Sequence, residues 1–195
     1  MNRVFKAALL VGGVAAGAAV YALADKSIDG PKTVDAVDLE RYAGQWFEIA
    51  RYPNRFQRNC SCDVTATYTV LPKGRIGVVN TCRNAKGGLE RIRGTATVAD
   101  RKTNARLRVS FFWPLAGDYW ILELGREYEF AVVSDPRLSY LWVLGRTPQM
   151  DEAVYQRIVS KLESRGIDTA KLVRTRQTGQ GYDEDEPAAK VKRAR

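Results

Sequence analysis

The sequence predicts an all-β protein: an eight-stranded up-and-down antiparallel β-barrel with one C-terminal α-helix packed on it. Three observations carry this expectation. Eight short segments rich in β-branched and aromatic residues follow one another between residues 45 and 145, and the joints between them are short. Beyond Pro148 the hydrophobic period changes from that of a strand to that of a helix. Sequential strands with short joints pair up and down, and closing them into a barrel removes the two exposed edges of an open sheet.

The first strand is expected over Gln45 to Arg51. Val64 to Leu71 alternates cleanly, with Val64, Ala66, Tyr68 and Val70 on one face and Thr65, Thr67 and Thr69 on the other, the period of a half-buried strand. Pro72-Lys73-Gly74-Arg75 turns the chain into Ile76 to Arg83. In that hairpin Val70 should face Ile76, Tyr68 Val78, Ala66 Asn80, and Val64 Cys82. After a turn at Asn84 to Gly88, strands follow over Glu90 to Ala99, Arg106 to Phe112, Tyr119 to Leu124, Tyr128 to Ser134 and Tyr140 to Gly145. Asp151 to Arg165 places Val154, Ile158 and Leu162 on one helical stripe and is followed by Gly166, a helix stop. Lys171 to Arg176 has the pattern of one last short strand.

The ends read differently. Residues 1–24 carry Arg3 and Lys6 ahead of an apolar run, Ala7 to Ala24, that closes on Ala22-Leu23-Ala24. This is the pattern of a signal peptide cleaved before Asp25, and the run is also just long enough to act as a signal anchor. Either way the protein is expected to be exported, to a periplasm or cell envelope. No cysteine lies in or just after the run to take a lipid. Residues 25–37 are polar, contain Gly30-Pro31, and read as a linker or irregular lead-in crossing the surface. The folded domain is expected over 38–176, and the charged, Gly-containing stretch 177–195 as a disordered tail.

Composition removes several functions. The chain contains no histidine, which excludes Ser-His and Cys-His nucleophilic sites, imidazole-held haem and the common zinc sites. The formal charge is +9; without Arg3 and Lys6, 29 basic residues face 22 acidic ones, +7. Export and the lack of a basic helix with interleaved aromatics argue against nucleic acid and leave a weak attraction to anionic lipid. Of the three cysteines, Cys82 should pair with Cys62 or Cys60 in an oxidising compartment, leaving one thiol. On the expected hairpin Cys62 lies diagonal to Cys82 on the same face. A metal site built from these sulfurs lacks a fourth ligand, so neither metal nor cofactor is expected.

Gly44-Gln45-Trp46 opening the first strand, Val64-Thr-Ala-Thr-Tyr68, Tyr140-Leu-Trp-Val-Leu-Gly-Arg-Thr-Pro148 and a single helix after the eighth strand together resemble the lipocalin family, nearest to its bacterial branch and its apolipoprotein D branch. The resemblance covers roughly Asp38 to Thr175. It implies that Trp46 fills the closed end of the barrel with Arg146 across its indole, and that Gly44, Trp46 and Arg146 are structural. It also implies a hydrophobic small-molecule ligand, a fatty acid or lysophospholipid, stored or transported in the envelope.

Alternation gives the candidate ligand-binding residues: Val64, Ala66, Tyr68, Val78, Asn80, Leu107, Val109, Phe111, Tyr119 and Ile121, with Ala96 beside them. This mixture of small and large side chains leaves room inside an eight-stranded barrel. Glu48, Asn80 and Tyr119 are candidates to orient a head group, Glu48 serving equally well as a buried anchor near the floor. Phe111-Phe112-Trp113-Pro114 and Trp120 form an aromatic concentration near the mouth that could gate it or touch a membrane. No catalytic residue is assigned and the protein is not expected to be an enzyme. The alternatives are a lipid-modifying enzyme using the leftover cysteine, and a membrane-anchored envelope-maintenance factor.

Overall fold

The computed structural model describes residues 30–179. The segment expected to direct export, at residues 1–24, and the tail beyond residue 179 lie outside them. Nine strands form one sheet: β1 (Gly44–Arg51), β2 (Cys62–Leu71), β3 (Arg75–Arg83), β4 (Leu89–Val98), β5 (Arg106–Phe112), β6 (Leu115–Leu124), β7 (Phe130–Ser134), β8 (Leu141–Gly145) and β9 (Val173–Arg174). Neighbours from β2 to β8 pair in sequence order, β8 pairs with β1, and β1 pairs back with β2, so eight strands close a barrel and β9 is an extra strand beside β1. Among the described residues two α-helices accompany it, α1 (Leu39–Tyr42) and α2 (Glu152–Ser164).

The expected β2–β3 register is present at Val70 with Ile76, Tyr68 with Val78, and Ala66 with Asn80. It breaks at the other end, where Cys62 pairs with Arg83 and Thr65 with Thr81, leaving one residue too many in β2. This β-bulge contains Asp63 at φ 52°, and an extra residue moves everything before it to the opposite face. Val64 therefore does not meet Cys82, and Cys62 does not share its face. The disulfide joins Cys60 to Cys82 with Cα atoms 5.5 Å apart, and Cys62 is a buried free thiol.

Other elements also depart from expectation. The turn expected over Trp113 to Asp118 is much tighter: β6 begins at Leu115, with Leu115 opposite Phe112 and Gly117 opposite Val109. Ala116, Gly117 and Asp118 continue the strand because backbone pairing needs no large apolar side chain. β7 begins at Phe130 rather than Tyr128, since Tyr128 sits at φ 61° in a turn. The short helix α1 was not anticipated. Asp38 caps it, its carboxylate accepting from the amides of Glu40 and Arg41 at 3.0 and 3.2 Å.

Two apolar clusters result. One fills the barrel interior and its closed end, around Trp46, Tyr68, Val78, Leu107, Ile121 and Leu144. The other lies outside the wall, where α2 buries Tyr155, Ile158 and Leu162 against β-strand residues such as Leu122, Val132 and Val143. Tyr155 joins the stripe in place of Val154, which is only half-buried. Glu123 pins α2 through Lys161 and Arg165, each 2.5 Å away. Trp120 belongs to this outer cluster, with the Arg106 guanidinium 4.1 Å from its ring centre, and not to the aromatic group at the mouth.

The segments flanking the barrel are fastened to it. Val34 donates its amide to Ile121 O at 3.0 Å, Val37 donates to Thr103 O at 2.7 Å, and the Val37 side chain is buried in the inner cluster. At the other end Gln177 donates its side-chain nitrogen to Glu48 O and Val64 O, both at 2.9 Å. The Thr178 hydroxyl reaches Asp63 at 2.8 Å. The chain after β9 thus bridges β1 and β2 where the bulge separates them.

Candidate functional site

The closed end is built around one aromatic and one guanidinium. Gly44 adopts φ +93°, a conformation open to glycine, and a Cβ there would meet Arg146 Nη1 at 3.3 Å. Trp46 points into the barrel, fully buried, and its Nε1 donates to Tyr42 O at 2.8 Å. The Arg146 guanidinium lies 3.9 Å from the indole centre and donates to the carbonyls of Arg41, Ala43, Gln45 and Tyr128 at 2.6–3.2 Å. It thereby satisfies carbonyls that the end of α1 leaves without helical partners.

Beside Trp46 three tyrosines converge. The Tyr42 and Tyr119 hydroxyls are 2.7 Å apart, and the Tyr68 hydroxyl donates to Tyr119 at 3.0 Å. Their rings form a column with centroids 5.0 Å apart between Tyr42 and Trp46, 5.6 Å between Tyr42 and Tyr68 and 6.0 Å between Tyr68 and Tyr119. Burial among these rings raises the Tyr68 phenol to about 12 and raises Tyr42 and Tyr119 well above the ordinary value, so all three are neutral at physiological pH.

The wall around and above the tyrosines is lined by Ala66, Val78, Asn80, Ala96, Val109 and Phe111, with Ile121 below Tyr119 on β6. Each sits on the inner face by cross-strand register or by packing in the inner cluster. Gly94 pairs with Val78, and a Cβ on it would stand 2.7 Å from the Phe111 ring. The Phe111 ring therefore lies flat on the wall where a side chain would otherwise stand. Ala66, Asn80, Val109, Phe111, Tyr119 and Trp142 face inward yet are only half-buried, so the interior is open above the tyrosines. The Asn80 Oδ1 atom is buried without a hydrogen-bond partner.

Glu48 is mid-wall rather than at the floor, opposite Leu144. Its carboxylate is fully engaged by the protein: Arg51 Nη1 at 2.7 Å, Gln57 Nε2 at 2.5 Å and the Thr175 hydroxyl at 2.5 Å. Gln57 in turn accepts from Trp142 Nε1 at 2.9 Å, which fastens the β1–β2 loop to the inner wall. Glu48 is an anchor, not a free head-group ligand.

At the mouth the β1–β2 loop carries Phe56, 67% exposed, and the β5–β6 hairpin carries Phe112, Trp113 and Leu115, 37, 92 and 73% exposed. The mouth loops also carry Arg55, Arg58, Lys86 and Arg137 against the single carboxylate Asp135. An outer cleft of about 430 Å³ lies between Gly30, Pro136 and Ile167; its half-buried cation, Arg165, is already neutralised by Glu123. Among the described residues no three cysteine or carboxylate side chains cluster as a metal site.

Of the residues expected inside, Ala66, Tyr68, Val78, Leu107, Val109, Phe111, Tyr119 and Ile121 belong to the inner cluster, and Asn80 faces Ala66 across the ladder. Val64 belongs to neither cluster; it is buried in the bulge under Gln177. Sequence reasoning missed Tyr42 and Trp142. The first sits on an unanticipated helix whose signal was Asp38 at its N-cap, and the second alternates with Leu144 along β8.

A closed eight-stranded barrel with one sealed end, one open end and an apolar lumen defines a small-molecule-binding β-barrel, and the comparisons agree. A family model described as a lipocalin-like domain matches residues 37–177, and the chain belongs to the lipocalin family. It is 42% identical over 156 residues to temperature-induced lipocalin-1 of Arabidopsis thaliana, covering 75% of this chain and 83% of that protein. It is 38% identical over 169 residues to the outer membrane lipoprotein Blc of Escherichia coli K12, covering 85% and 95%. Among solved structures, insecticyanin from the tobacco hornworm Manduca sexta superposes with TM-score 0.62 at 19% identity, covering 80% of this chain and 86% of that one.

Proposed function

We propose that this protein holds one fatty acid or lysophospholipid in the barrel and stores or transports it in the cell envelope, without acting on it chemically. The observation that carries the reading is the set of half-buried, inward-facing apolar side chains above the tyrosine floor. Burying a dozen methylenes there yields on the order of 10 kcal/mol before association costs, so the acyl chain itself supplies most of the binding energy. The envelope location is supported by the likeness to proteins named outer membrane lipoproteins. The leftover thiol, Cys62, is buried and has no histidine to activate it, which favours binding over a thiol-based reaction. Native mass spectrometry of the purified chain, with extraction of what co-purifies, tests the reading. A lipid near one per chain is expected; an empty chain that takes up no fluorescent fatty acid would overturn it.

The same protein is proposed to rest mouth-down on a membrane. Four of the five large hydrophobics that are exposed among the described residues surround the mouth, and the cations there complement anionic head groups. Co-sedimentation with vesicles containing phosphatidylglycerol should exceed that with phosphatidylcholine alone, and Trp113→Ser should weaken it. Equal sedimentation with both vesicles, unchanged by Trp113→Ser, would remove this contact from the proposal.

A further inference from the structure

The tyrosine trio has an uneven hydrogen count. Three phenols carry three O–H hydrogens, yet they make two hydrogen bonds with each other and, among the described residues, none with another protein acceptor. Tyr68 uses its hydrogen on Tyr119. If Tyr119 donated to Tyr42, the spare hydrogen would sit on Tyr42, which is 2% exposed and enclosed by Trp46 and Tyr68. A buried donor left unpaired is costly. The favourable arrangement has Tyr42 donating to Tyr119, so that Tyr119, the half-buried member of the trio, directs its own hydrogen into the lumen.

We propose that the Tyr119 hydroxyl is a ligand-binding donor at the floor of the barrel, and that it selects ligands whose inner end carries an uncharged oxygen acceptor, a carbonyl or a hydroxyl. This rests on the barrel binding a hydrophobic ligand and adds a preference at its deep end: a fatty acid still binds methyl end inward, without this hydrogen bond. A bare methyl group would leave the O–H unpaired. A carboxylate would meet one donor and no available cation: the Arg146 guanidinium lies against Trp46 and spends its donors on backbone carbonyls, and Arg51 is bound to Glu48. The phenols themselves stay neutral because burial holds them protonated, so the site supplies one directional donor and no charge. An anionic amphiphile therefore threads tail-first with its carboxylate at the mouth, whereas a ketone or alcohol of equal length can enter oxygen-first.

The test displaces the apolar fluorescent probe N-phenyl-1-naphthylamine from the full chain with 2-tridecanone, n-tridecane or tridecanoate. The ketone should compete about fivefold more tightly than the alkane, one hydrogen bond's worth, and Tyr119→Phe should erase that advantage while the alkane still competes. Independently of any variant, the carbonyl stretch of bound isotopically labelled 2-tridecanone should shift to the lower frequency of a hydrogen-bonded ketone. Equal competition by ketone and alkane, an advantage that survives Tyr119→Phe, or an unshifted carbonyl would overturn this inference and leave the binding reading intact. If neither the probe nor any competitor binds the unmodified chain, the binding reading falls and this inference with it.

Discussion

Arg146 and Trp46, a hundred residues apart in the chain, meet face to plane at 3.9 Å, and the same guanidinium donates to the backbone carbonyls of Arg41, Ala43 and Gln45. One side chain thus joins the end of β8, the start of β1 and the end of α1. Lysine keeps the charge and loses the planar fork. Arg146→Lys should lower unfolding free energy by about 2 kcal/mol in urea titration, from several charge-assisted bonds lost at once. A change under about 0.5 kcal/mol, the range of an ordinary surface substitution, would show that the guanidinium is not a keystone.

The tyrosine trio predicts an alkaline limit to stability. A phenol whose folded value lies above its unfolded value of about 10 contributes stability that is complete below that pH and is lost as pH rises toward the folded value. For Tyr68 the window is therefore from about 10 to about 12, and Tyr42 and Tyr119 act in the same direction. Each such phenol should make the stability fall as pH rises through its window. Ultraviolet titration of the nine tyrosines should show a fraction that ionises only as the fold is lost. Ordinary ionisation of all nine near pH 10 in the folded state would contradict the burial described.

Gly94 should be intolerant of any side chain. A Cβ there would stand 2.5 Å from Ser110 O and 2.7 Å from the Phe111 ring. Gly94→Val is expected to cost about 1–3 kcal/mol by overpacking and to drive Phe111 into the lumen. Probe binding should then weaken more than stability alone explains, read as reduced fluorescence of a bound fatty-acid probe in chains that remain folded by circular dichroism.

The Cys60–Cys82 bond spans 22 residues, and constraining a loop of that size in the unfolded chain is worth roughly 3 kcal/mol. Replacing both cysteines by alanine should lower stability by about that amount. In the unmodified protein an aromatic disulfide reagent should find no fast-reacting thiol, because Cys62 is buried, and should find one per chain in denaturant. A thiol that reacts rapidly in the folded state would reopen a nucleophilic role for Cys62.

Much of the barrel is legible locally. The alternation from Ala66 to Val70, the Pro72–Arg75 turn and the stripe of α2 each follow from residues within a few positions of one another, and the register they imply holds at three successive pairs of β2 and β3. Alternation fails where one residue is inserted. The bulge at Asp63 removes Val64 from the lumen and turns Cys62 away from Cys82, and no composition signal marks it. The early start of β6 was hidden because residues 116–118 pair through their backbone while their side chains read as a loop.

By itself the sequence determined the number and order of strands, the single covering helix and most of the inward-facing wall, because side-chain period and turn chemistry are properties of neighbouring residues. Only the tertiary structure decided which cysteine pairs with Cys82, that Glu48 is spent on Arg51, Gln57 and Thr175, and that Tyr42, Tyr68 and Tyr119 share one hydrogen-bonded floor. Those contacts join residues far apart in the chain, and their geometry exists only once barrel closure, bulges included, brings distant strands to opposite sides of one lumen.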